Sequence, residues 1–153
     1  MLMDDRLEFA DATALNTGAA GTYNIGDVID TRAATVNPNV TSDLEGSDLY
    51  LVIRVATAAT SGGSATGQFR LVSDDTATPS TTTATVHATS AAIAVASLTA
   101  GYTVMVTRLP SGSYERYVGI QQITGTAAFT AGAIDAFLCS DPALYRAYAD
   151  NVA

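Results

Sequence analysis

Apolar and polar residues alternate along most of the chain with a period of two, the period of β-strands rather than helices. The clearest stretch is 98–138, which predicts three strands. In 102–109, Val104 and Val106 point one way while Thr103, Met105 and Thr107 point the other. In 114–124, Val118 and Ile120 alternate with Tyr117, Gly119 and Gln121. In 132–140, Ile134, Ala136 and Leu138 alternate with Ala133, Asp135, Phe137 and Cys139. Pro110-Ser111-Gly112-Ser113 punctuates the first junction and Gly125 opens the second, which reads as a consecutive antiparallel meander.

The first half carries the same signal less evenly. Leu7, Phe9 and Ala12 predict a short opening strand, 13–22 a loop, and 23–29 a second strand broken at Gly26. Residues 31–47 lack a clean period and are long for a connection, so they predict a surface excursion or functional loop. In 48–58, Leu49, Leu51, Ile53 and Val55 share one face and Tyr50, Val52 and Arg54 the other. An apolar second face predicts a central strand or one covered by a partner. Residues 60–67 read as a flexible connection, 68–73 as a strand with Phe69 and Leu71 against Gln68 and Arg70, and 74–83 as a polar loop. Two weaker strands follow at 85–89 and 92–98, interrupted at Ser90. Eight or nine short strands without helical periodicity predict an all-β fold: an antiparallel β-sandwich, jelly-roll-like, over residues 1–141. The remaining 142–153 predict a C-terminal arm or short helix, with Asp141 as cap, Pro142 in the first position, and Leu144, Tyr145 and Tyr148 in one stripe.

Composition narrows the partners. The 153 residues suffice for one domain with a sizeable core, and the low aromatic content (7%) suits thin sheet-on-sheet packing. A net charge of −8, with all seven cations arginine and no lysine, argues against direct binding to nucleic acid or to an anionic membrane. The longest purely apolar run, 91–96, is too short to cross a bilayer. The single Cys139 precludes an internal disulfide, and MLMDDRLEF carries aspartates where a secretory leader carries cations, so a reducing cytosol is the expected site of synthesis. The sequon at Asn39 then reads as a chance match.

Catalytic signals are sparse. His87 has no acid or cysteine at ligand spacing, and it reads as a surface or loosely packed histidine. Cys139 reads as a small buried hydrophobe. The Asp4-Asp5 and Asp74-Asp75 pairs point to opposite faces if extended and suit turns and solubility. Cation binding at Asp74-Asp75 stays open, although no spaced calcium-binding loop is present. The expectation is a protein that is not an enzyme and uses no cofactor or metal. The informative residues are tyrosine and arginine, the types enriched at interface hot spots. Arg108, Pro110, Tyr114, Arg116 and Tyr117 gather around one turn, and Leu144, Tyr145, Arg146 and Tyr148 lie in the tail. Both groups are candidate protein-interface residues. The plainer alternative for the turn is tyrosines packed at the sandwich rim and an arginine paired with Glu115.

Several segments of the 98–138 stretch resemble the small capsid cement, or decoration, proteins of tailed phages, of the type first described for a short-tailed Bordetella phage. They are Leu98-Thr99-Ala100-Gly101, Arg108-Leu109-Pro110-Ser111-Gly112, Glu115-Arg116-Tyr117-Val118-Gly119, and Phe129-Thr130-Ala131-Gly132 through Ala136-Phe137-Leu138. Ser73-Asp74-Asp75 and the opening strand are similar too, so the likeness covers about half the chain; 31–47 is longer than the family pattern. The resemblance implies a jelly roll without catalysis, a homo-oligomer (dimer or trimer), and the major capsid protein as partner. It also implies a place on the outer surface of a virion capsid assembled in a bacterial cytoplasm. The other reading carried forward is a carbohydrate- or ligand-binding β-sandwich module of a virion or tail, against which the absence of tryptophan argues mildly. A hydrolase on a sandwich scaffold is a weaker rival.

Overall fold

Period-two segments with one apolar face bury that face by pairing into sheets and stacking the sheets. A computed structural model of the chain describes residues 7–31 and 48–145, and there the alternation resolves into nine strands. They are β1 (Glu8–Ala14), β2 (Gly21–Asp30), β3 (Tyr50–Ser61), β4 (Thr66–Asp74), β5 (Thr85–Thr89), β6 (Ile93–Ala94), β7 (Thr103–Arg108), β8 (Tyr117–Gly125) and β9 (Phe129–Cys139). One sheet has the order β1-β9-β3-β7; the other runs β2-β8-β4-β5, with β6 added beside β4. Every pairing is antiparallel. The pairs β1·β9, β2·β8, β3·β7 and β4·β5 are the two arms of one folded ribbon, and β3·β9 and β4·β8 join them into sheets. This is the strand order of a jelly roll.

The inward faces supply the core: Phe9, Ile25, Leu51, Ile53, Val55, Phe69, Leu71, Val118, Ile120, Phe129, Ile134, Ala136 and Leu138 are all buried. All four phenylalanines of the sequence are buried, each a contribution of about 1.5–3 kcal/mol from burial alone. The apolar second face of β3 also meets partners, as the alternation predicts. Val52 forms a separate buried cluster with Phe137 and Cys139, flanked by Tyr50, on the outward face of the β3·β9 pair. Cys139 is the buried hydrophobe expected of it, and burial pushes its thiol pKa up.

Four expectations are corrected. The strand expected at 92–98 is only β6, Ile93–Ala94, which runs straight into a 3₁₀ turn at Val95–Ser97. Residues 98–138 do not form a meander: β7 and β9 lie in one sheet and β8 in the other, so consecutive strands cross the sandwich. Alternation states which face of a strand is apolar, and two strands facing each other across a core show the same pattern as two hydrogen-bonded neighbours. Val104 and Val106 do not share a face. The register passes from Ile53↔Met105 to Arg54↔Thr103, so Val104 is the extra residue of a bulge. It packs with Met105 against the core, while Val106 lies outward at 47% exposure. The flexible connection expected at 60–67 is only 62–65, because β3 and β4 extend towards each other. The interruption at Ser90 is real: its N–H donates to the Phe69 carbonyl at 2.8 Å and its Oγ accepts the Phe69 N–H at 3.0 Å, ending β5 with side-chain pairing. After β9 the described chain makes one 3₁₀ turn, Pro142–Tyr145, and Asp141 Oδ1 accepts the Ala143 N–H at 2.9 Å. The tail beyond it, and all of the 31–47 excursion except Thr31, lie outside the described residues.

Candidate interface at the long-loop end

Antiparallel order sorts the connections between two ends of the sandwich. At one end lie the short links 15–20, 62–65 and 126–128, together with 90–102. At the other lie the starts of β1, β3, β5 and β8 and the ends of β2, β4, β7 and β9. That second end therefore carries the connections 31–49, 75–84 and 109–116, and the chain both enters and leaves the sandwich there. Loops on a rigid scaffold are where binding residues concentrate.

The structure brings the predicted turn cluster together at this end. Arg108, at the end of β7, forms an exposed ion pair with Asp48. Pro110 accepts the Tyr114 hydroxyl on its carbonyl at 2.8 Å, so the phenol ties the 109–116 loop to itself. Arg116 donates two bonds of 2.8 Å to the Asp30 carboxylate, and its guanidinium carbon lies 4.8 Å from the Tyr117 ring centroid. The Arg116 carbonyl also accepts the Thr31 N–H at 3.0 Å and the Thr31 hydroxyl at 2.9 Å, which fixes the exit of β2. The pairing of an arginine was the right kind of contact with a different partner: Asp30 and Asp48 hold the two arginines, and Glu115 turns inward to Ser73. In the tail cluster, Leu144 and Tyr145 belong by backbone to the 3₁₀ turn, and Arg146 and Tyr148 lie outside the described residues.

Behind the turn sits a group that no sequence spacing reveals. Ser73, fully buried at the end of β4, has its Oγ 2.7 Å from His87 Nε2 and 3.3 Å from Glu115 Oε2, and it accepts the Glu115 N–H at 3.1 Å. The His87 ring stacks on Tyr114 with centroids 4.0 Å apart. Burial lowers the His87 pKa, opposed by the charge of Glu115, and burial raises that of Tyr114. This is not the geometry of a serine nucleophile. The carboxylate reaches the hydroxyl instead of orienting the imidazole, and the hydroxyl has no exposed surface.

The 75–84 loop folds back over the outward face of the second sheet. Asp74 organises it: Oδ2 accepts the Ser80 N–H at 2.8 Å, and Oδ1 accepts the Thr76 N–H and hydroxyl, both at 3.1 Å. Those backbone bonds hold the Asp74 carboxyl below its ordinary pKa. Asn24 Nδ2 donates to the Pro79 carbonyl at 2.8 Å, Arg70 Nη2 to the Thr81 carbonyl at 3.1 Å, and Gln121 Nε2 to the Ser80 carbonyl at 3.1 Å. Gln121 is fully buried beneath the loop, with its other bonds to Arg70 and Asn24. Asp74 is thus a turn organiser in this fold. Among the described residues no three His, Cys, Asp or Glu side chains gather as a metal site, and no buried side-chain nitrogen or oxygen lacks a partner.

The long-loop end is therefore a surface braced by its own hydrogen bonds and ion pairs. No curated protein matches the chain. The Bbp16 family model matches residues 9–138, from β1 to the end of β9. The chain belongs to the Bbp16 family, a family of Bordetella phage proteins.

Proposed function

We propose that the protein is a capsid cement protein, which binds the outer surface of a shell of major capsid protein and stabilises it by contact alone. The observation that carries this reading is the match of the whole sandwich, residues 9–138, to a phage protein family. The arrangement of the long-loop end supports it. The Arg116–Asp30 pair and the Tyr114 hydroxyl bond to the Pro110 carbonyl brace the loop around Pro110 from within. Preorganisation lowers the entropy lost on docking. Self-association into a dimer or trimer raises the effective concentration of each further contact, so every single contact can be modest, about 800 Å² per partner. The net charge of −8 keeps the free protein away from nucleic acid.

The test is co-sedimentation of the purified protein with capsid shells lacking it. The reading expects saturable binding that raises the temperature at which the shells break. Protein that stays in the supernatant at every concentration contradicts it.

A further inference from the structure

At the long-loop end, β5 and the 109–116 loop converge on the hydroxyl of Ser73 in β4. Two groups lie within reach of its single proton: Glu115 Oε2 at 3.3 Å and, in the tautomer that leaves it bare, His87 Nε2 at 2.7 Å. A hydroxyl donates one bond and accepts two, and one of its acceptor positions is taken by the Glu115 N–H. In the neutral tautomer that carries its proton on Nδ1, Nε2 accepts and the shorter contact takes the Ser73 proton. An imidazolium has no lone pair, so a protonated His87 can only donate to Ser73, whose own proton must then turn to Glu115. The imidazole is held for this. The register of β4 with β5 slips between Leu71↔Ala88 and Val72↔Val86, so His87 sits at a bulge. Its ring is stacked on Tyr114, which the Pro110 carbonyl anchors. Glu115 is the charged group that acts on the ring and Tyr114 the titratable group stacked on it; Ser73 faces it from β4.

We propose that Ser73 is a proton-controlled toggle. It donates to His87 near neutral pH and to Glu115 once His87 is protonated, so acidification rewires the bonds that fix the 109–116 loop. The consequence for docking rests on the cement reading; the toggle itself does not. The experiment follows the ring nitrogens of His87 and the backbone amide of Glu115 by NMR in the isolated protein, from neutral pH to about pH 5, across the range where histidine titrates. Near neutral pH, Nε2 is expected to be unprotonated. The Glu115 amide is expected to shift with the same midpoint as the ring, and to lose that shift in Ser73→Ala and in His87→Gln. His87→Gln decides alone if Ser73→Ala does not fold. An Nε2 protonated at neutral pH, or a Glu115 amide that ignores the His87 midpoint, overturns the toggle. Shell occupancy is then measured over the same range. Occupancy that changes at the His87 midpoint in the wild type and not in His87→Gln supports a docking role for this loop. Unchanged occupancy while the bonds switch overturns that role and leaves the toggle standing.

Discussion

Asp135 shows how much one side chain can hold. It is buried on the outward face of β9, where Oδ2 accepts Arg54 Nε at 2.7 Å and Oδ1 accepts the Ala12 N–H at 2.8 Å. Ala12 lies at a register slip of β1, with a φ of 44°. Asp135→Ala removes the acceptor of the Ala12 N–H and one partner of Arg54, and should destabilise by about 1–3 kcal/mol in urea denaturation, with Asp135→Asn milder because its carbonyl still accepts one of the two bonds. Glycine offers a cleaner contrast. Gly26 (φ 74°) would place a Cβ 2.0 Å from the Phe9 carbonyl oxygen, whereas Gly101 (φ 82°) faces open space. Gly101→Ala should cost about 1 kcal/mol, from backbone conformation alone, and Gly26→Ala clearly more, because β1 and β2 must also separate. His87 gives a pH signature. Its folded pKa lies below the ordinary 6.5, so its contribution is complete above 6.5 and is lost as pH falls from there to the folded value. Global stability measured through that window should fall in the wild type and fall less in His87→Gln.

At the scale of elements, most strands were legible and their neighbours were not; 92–98, where apolar residues run on without alternation, holds only a two-residue strand and a 3₁₀ turn. β3, β4 and β9 follow the sequence alternation because β-branched and aromatic residues with period two leave no other economical burial. The position of β8 between β2 and β4 was not legible, since pairing across 97 residues, such as Gln121 to Asn24, leaves no local mark. Bulges at Val104 and His87 were hidden for the same reason: each exists only relative to a partner strand. Of the site, the Arg108–Tyr117 turn was visible as a cluster of residue types. Ser73, Asp30 and Gln121 were invisible, being ordinary residues that become neighbours only through topology. The 75–84 loop provides the test at this scale. Gln121→Ala removes three hydrogen bonds beneath it and should cost about 2–4 kcal/mol, with faster amide exchange in 75–84. A variant as stable as wild type would show that the loop is held from elsewhere.

At the scale of the whole molecule, the jelly roll sends its long connections, its entry and its exit to one end, leaving the other with mostly tight links. On the proposed cement reading, the partner is met at this long-loop end and the sandwich serves as a spacer behind it. Deleting 142–153, which bears Leu144, Tyr145, Arg146 and Tyr148, should lower shell occupancy without unfolding the sandwich, whose family match ends at residue 138. The central claim is tested most directly by comparing images of virions with and without this protein. The account predicts extra density on the outer face of the capsid at repeated positions between capsid subunits, and shells that break more easily when it is missing. Density confined to the tail or the interior, or particles that are identical in both preparations, would contradict it.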